Sequence, residues 1–122
     1  TSIARDSRQI TIASYNVENL DPEVEDTAAG SVAGSDLYTR LGNADDDIGS
    51  GKYARHAEQI AINLGAPTIV ALQEVQDNDG AEISADVDAT ETLQTLVDLI
   101  FANHGIVYAF AFANPPTSNA DG

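Results

Sequence analysis

The stretch TIVALQEVQDND, Thr68–Asp79, decides how this chain is read. Thr68 to Leu72 make a continuous apolar run, the pattern of a central parallel strand covered on both faces. Gln73 and Glu74 break the run, and a polar tail follows. Such a strand either reaches water at its carboxylate or holds that carboxylate in place.

Working upstream, KYARHAEQIAINL (Lys52–Leu64) sets Tyr53, Ala57, Ile60, Ala61 and Leu64 on one helical face. Gly65 suits a left-handed cap after that helix, and Pro67 stops it from resuming. Before it, Asp21 to Gly51 is acidic, rich in Gly, Ser and Ala, and aperiodic, which predicts a long loop. QITIASY (Gln9–Tyr15) alternates Ile10, Ile12 and Ser14 against Thr11, Ala13 and Tyr15, the period of a strand. Thr1 to Arg8 reads as a polar lead-in.

Downstream, Gln76 to Val87 is a second acidic loop. Asp88 and Glu91 have capping-box spacing ahead of a helix carrying Leu93, Leu96, Val97, Ile100 and Phe101. Gly105 ends that helix. Ile106 to Ala113 then alternates as a third strand, before a loop tail. The order β-α-β-α-β predicts an α/β layered sheet with right-handed crossovers. Three strands form a thin sheet, and Gly122 falls in a loop, so residues 1–122 are expected to be one incomplete domain.

Composition narrows the chemistry. The 122 residues carry 5 basic and 20 acidic side chains, a formal charge of −15, with no cysteine. Disulfide frames, thiolate metal sites and cysteine nucleophiles are thereby excluded. No apolar run approaches the ~20 residues of a membrane span, so no membrane partner is expected. A negative chain gains no long-range attraction to phosphates, so phosphate chemistry here requires a cation at the site.

Connectivity supplies a candidate site. The crossover makes the first two strands parallel, with their C-terminal ends on one sheet edge, where α/β proteins place their sites. Asn16 follows the first strand and Glu74 the second. A carboxylate with an amide oxygen is a hard oxygen set suited to Mg²⁺ or Mn²⁺. Each residue also has an ordinary reading: a glutamate ending a strand is most often solvated, and asparagine is a common turn former.

ASYNVENL (Ala13–Leu20) and IVALQEV (Ile69–Val75) resemble the first two motifs of the endonuclease/exonuclease/phosphatase superfamily, metal-dependent phosphoesterases with the DNase I-like fold. KYARHAEQIAINLGAPTIVALQEVQDN looks close to its secreted bacterial nuclease branch. The likeness covers most of Gln9 to Ala113 apart from the Asp21–Gly51 loop. It implies a partial DNase I-like α/β sandwich, a metal-binding Glu74, and Asn16 at the metal and phosphate, both serving catalysis. It further implies Mg²⁺ or Mn²⁺, a phosphodiester substrate with nucleic acid favoured, and an extracellular or periplasmic location. The family's later histidine, aspartate–asparagine and aspartate–histidine motifs have no counterpart here. The chain therefore resembles the N-terminal half of such an enzyme, inactive alone, whose partners are its own missing C-terminal half or, by self-association, another copy.

Other features read more plainly. His56 and His104 match no motif and read as helix-surface and helix-end residues. Arg40, Lys52 and Arg55 are the scarce cations able to meet phosphate. DNDG (Asp77–Gly80) and NADDDIGSG (Asn43–Gly51) both fail the EF-hand count. Dense acidic loops still chelate Ca²⁺ without a motif, so a non-catalytic acidic or calcium-binding module is the alternative. Neither nucleotide-binding glycine motif is present.

Overall fold

The computed structural model describes residues 9–24, 46–80 and 85–116. The expectations for the lead-in, for most of the first acidic loop with Arg40, for residues 81–84 of the second and for most of the tail fall outside them. Strand β1 (Ile12–Leu20) is followed by helix α1 (Lys52–Glu58), which runs on as a π-helical stretch, Gln59–Asn63. Strand β2 (Ile69–Val75) and helix α2 (Thr90–His104) complete a small mixed α/β fold.

β1 and β2 pair in parallel, with Ile12 opposite Ile69, Tyr15 opposite Leu72 and Asn16 opposite Gln73. A threonine clamp starts the pairing: the Thr11 amide donates to Thr68 Oγ1 at 3.2 Å, and the Thr68 amide to Thr11 Oγ1 at 3.0 Å. Alternation then sorts the side chains. Tyr15, Val17, Val70 and Leu72 face the helices, where Val17, Leu20, Tyr53, Ala57, Ile60, Leu96 and Ile100 form one buried cluster.

Local signals account for the helix ends. Gly65 and Gly105 adopt left-handed φ values of 71° and 69°, as expected of C-terminal caps. The capping box at Asp88 and Glu91 does not form. Asp88 Oδ1 instead accepts from the Thr90 amide at 3.0 Å. The Glu91 amide donates to Asn78 Oδ1 at 2.8 Å, so a side chain from the loop after β2 caps α2.

Three further expectations are corrected. Residues 106–113 form no strand; they enter no ladder, although Tyr108 Oη donates to the Pro67 carbonyl at 2.6 Å. Alternation alone is insufficient where no neighbouring strand meets the backbone. β2 is covered on one face only among the described residues, leaving Ile69 50% and its partner Ile12 72% exposed. Leu64 and Phe101 face outward because each lies at the margin of its helix's apolar stripe.

Leu96 lies 2% exposed at the centre of the cluster. Leu96→Ala should lower unfolding free energy by about 2–4 kcal/mol in urea titrations. Ile62→Ala, at a position 60% exposed, should stay within about 0.5 kcal/mol of the parent.

Candidate functional site

Asn16 and Glu74 both lie within strands rather than just beyond them, because β1 continues to Leu20 and β2 to Val75. The register nonetheless brings them together. Asn16 pairs with Gln73, the residue before Glu74, at the C-terminal end of the sheet. Between this pair and the next, Leu20 opposite Val75, β1 has Val17, Glu18 and Asn19 where β2 has only Glu74.

That bulge is built from unusual backbone. Glu18, Asn19 and Glu74 have φ values of 57°, 56° and 57°, a region that non-glycine residues rarely occupy. Its packing cause is visible in the side chains. A regular pleat with Tyr15, Val17 and Leu72 inward would turn Leu20 and Val75 outward. The left-handed residues shift the phase, so Leu20 is 1% exposed and Val75 packs against the core. Asn16 braces the turn, its Oδ1 accepting from the Glu18 amide at 2.7 Å. Glu18 and Glu74 are left exposed on this edge.

Beneath the bulge, Tyr15 Oη and His56 Nδ1 lie 2.8 Å apart, with their rings edge-on. His56 is 6% exposed, so the surface reading is overturned. Its position was legible: His56 falls between Tyr53 and Ala57 on the apolar stripe of α1. Burial lowers its pKa, and the nearby cations Lys52 and Arg55 act in the same direction, against Glu18 and the Val17 backbone. Burial, then Glu18, raise the Tyr15 phenol. The neutral imidazole is thus favoured beside an un-ionised phenol, which makes this pair a brace under β1.

A second buried group ties α1 to the same edge. Lys52 Nζ lies 2.9 Å from Asp47 Oδ2 and donates to the Asn19 carbonyl at 3.3 Å. Asp47 Oδ2 also accepts from the Asp21 amide at 3.2 Å. Lys52, read from sequence as a cation available to phosphate, is committed to this network. Tyr53 beside it is pushed far above the usual phenol range by burial, then by Asp21 and Asp47. Nothing in the residue spacing announced the pair, since Asp47 lies in an aperiodic acidic run.

The loop after β2 carries a third group. Asp77 is 5% exposed, and its pKa is pushed up to about 7 by burial and then by Asp79 and Asp86. Thr92 Oγ1 donates to its carbonyl at 3.2 Å, fastening the loop to α2.

For a divalent cation, the edge offers the exposed Glu74 carboxylate and the Asn16 amide oxygen, whose second lone pair remains beyond the Glu18 contact. Among the described residues no group of three or more His, Asp or Glu side chains is placed to hold a metal ion. Two such donors would leave most of a cation's coordination to water and substrate oxygens, as is common for Mg²⁺. Among the described residues no helix is long and apolar enough to cross a membrane. No protein-family model matches the chain, and no match was found among curated proteins or solved structures.

Removing the lysine leaves Asp47 charged and buried, so Lys52→Met should lower stability by about 3 kcal/mol in urea unfolding. Lys52→Arg should lose less than half of that. For Asp77, the folded state keeps its proton up to about pH 7 and the unfolded state releases it near 3.8. The folded state therefore binds more protons over that window, and stability falls as pH rises through it. Asp77→Asn should abolish this part of the fall. The gain in Tm over the parent should be largest at pH 8 and absent at pH 3.5.

Proposed function

We propose that the chain is the N-terminal half of a metal-dependent phosphoesterase with DNase I-like layering, a nuclease, with Asn16 and Glu74 at one wall of its site. The observation that carries this reading is the register. It pairs Asn16 with Gln73, the residue before Glu74, next to a bulge with left-handed backbone at Glu18, Asn19 and Glu74. Residues held in sparsely populated conformations cluster where function needs a fixed geometry. The uncovered outer sheet face, with Ile12 against Ile69, is compatible with a second layer packed there.

In this reading Glu74 contributes the negative ligand and Asn16 orients an amide oxygen toward the same ion or a phosphate oxygen. A bound Mg²⁺ or Mn²⁺ would stabilise charge on the phosphoryl group and offset the −15 of the chain. The base that activates water is not supplied by these elements. His56 is buried against Tyr15, and His104 lies in the last turn of α2. The chain is therefore expected to bind the cation weakly and to hydrolyse nothing alone.

Water-proton relaxation with Mn²⁺ tests the assignment. Glu74→Gln should weaken binding at least about tenfold and Asn16→Ala by less, while bis(p-nitrophenyl) phosphate stays uncleaved. Binding indifferent to Glu74→Gln would remove the site. If Ca²⁺ bound equally well to that variant, the acidic calcium-binding module would be the better reading. Glu74-dependent cleavage by the 122 residues would refute the half-enzyme.

A further inference from the structure

β2 has β1 on one edge and no strand on the other among the described residues. Beyond that open edge lies an apolar groove of about 640 Å³. Residues 69–72 of β2 form one wall and residues 108–113 the other, while Leu93, Leu96 and Ile100 of α2 line it between them. The far wall has strand character without strand status. Ile106, Tyr108 and Phe110 are half-buried, whereas Val107, Ala109 and Ala111 between them are exposed. Tyr108 fastens this segment to the Pro67 carbonyl, close to the start of β2.

The chemistry of the walls selects the occupant. A small apolar molecule would cover the side chains and leave an open backbone edge on β2. Only another extended backbone both fills the groove and hydrogen-bonds along that edge. Electrostatics then narrows the choice. Among the described residues Asp77 is the one charged residue lining the groove. It is 5% exposed and has Asp79 beside its carboxylate, but among the described residues no cation is paired with it. Asp79 and Asp86, the other charged groups acting on it, are acidic as well.

We propose that a β-strand from a separate, basic polypeptide inserts between β2 and residues 106–113, apolar at alternate positions and bringing a lysine or arginine to Asp77. The strand completes a parallel or antiparallel ladder on β2, and its cation neutralises the buried carboxylate. A second copy of this chain is the weaker occupant. Two copies each carrying −15 repel, and residues 106–113 offer no basic side chain. The inference does not depend on the phosphoesterase reading, since it concerns the opposite edge of β2.

The test uses the 122-residue chain with blocked heptapeptides of alternating valine and threonine. One carries lysine at its first position, one carries lysine at its last, and a matched pair carries glutamate instead. Titration calorimetry and hydrogen exchange are read together. One lysine peptide should bind at least about fivefold more tightly than its glutamate counterpart and slow exchange within 69–72 and 106–113. Asp77→Asn keeps the shape of the side chain and should abolish the preference for lysine while retaining peptide binding.

Absence of binding by every peptide overturns the proposal. So does equal binding of lysine and glutamate forms, or protection confined to other segments. Protection of 106–113 that rises with protein concentration and without peptide would assign the groove to a second copy instead.

Discussion

Two parallel strands far apart in sequence cannot meet without a crossover, and everything described here hangs on that meeting. Thr11 and Thr68 clamp the start of the pair across 57 positions. α1 and its π-helical extension fill the connection. Because both helices pack on one side, a single face of the sheet supplies the strands' share of the core. Seven buried side chains from four elements then make one cluster, the one core among the described residues. The pairing therefore sets the register, and the register sets which side chains reach water together.

The bulge shows how packing and a potential site become coupled. Left-handed backbone at Glu18, Asn19 and Glu74 returns Leu20 and Val75 to the core. The same phase shift leaves Asn16, Glu18 and Glu74 gathered at the end of the sheet. Three non-glycine residues in that region strain the backbone by about 1 kcal/mol or more each, and burial of Leu20 and Val75 offsets part of that strain. A packing account therefore explains why the bulge is tolerated. It does not explain why glutamate rather than glycine stands at Glu18 and Glu74, where glycine would relieve the strain. That choice of residue favours a role for the carboxylates.

The parts of the fold legible in the sequence were those governed by local periodicity. The apolar stripes of α1 and α2, the glycine caps and the strand after Pro67 all follow from spacing within a few residues. What escaped was decided at long range. The capping of α2 comes from Asn78, thirteen positions before the amide it satisfies. Lys52 looked available to a ligand because its partner, Asp47, lies in a run without pattern. His56 is a different case: a polar ring on the buried stripe reads as surface until a distant residue, Tyr15, supplies its partner. Of the candidate site, proximity of Asn16 and Glu74 was legible from connectivity, while the bulge that shapes it was not.

The open edge of β2 and the buried Asp77 carboxylate are two sides of one deficit. An apolar run such as 69–72 reads as a strand flanked on both sides, and among the described residues it has a neighbour on one. Residues 106–113 have the alternation of a strand and lie across a groove from it without forming a ladder. If that segment simply closed onto β2, the groove would collapse, but Asp77 would remain without a cation, because the segment carries none. Filling the groove with a chain that brings a positive charge satisfies backbone, apolar surface and carboxylate together. Among the described cations, Lys52 is held by Asp47 and Arg55 donates to the Ser50 carbonyl at 3.0 Å, so neither serves Asp77.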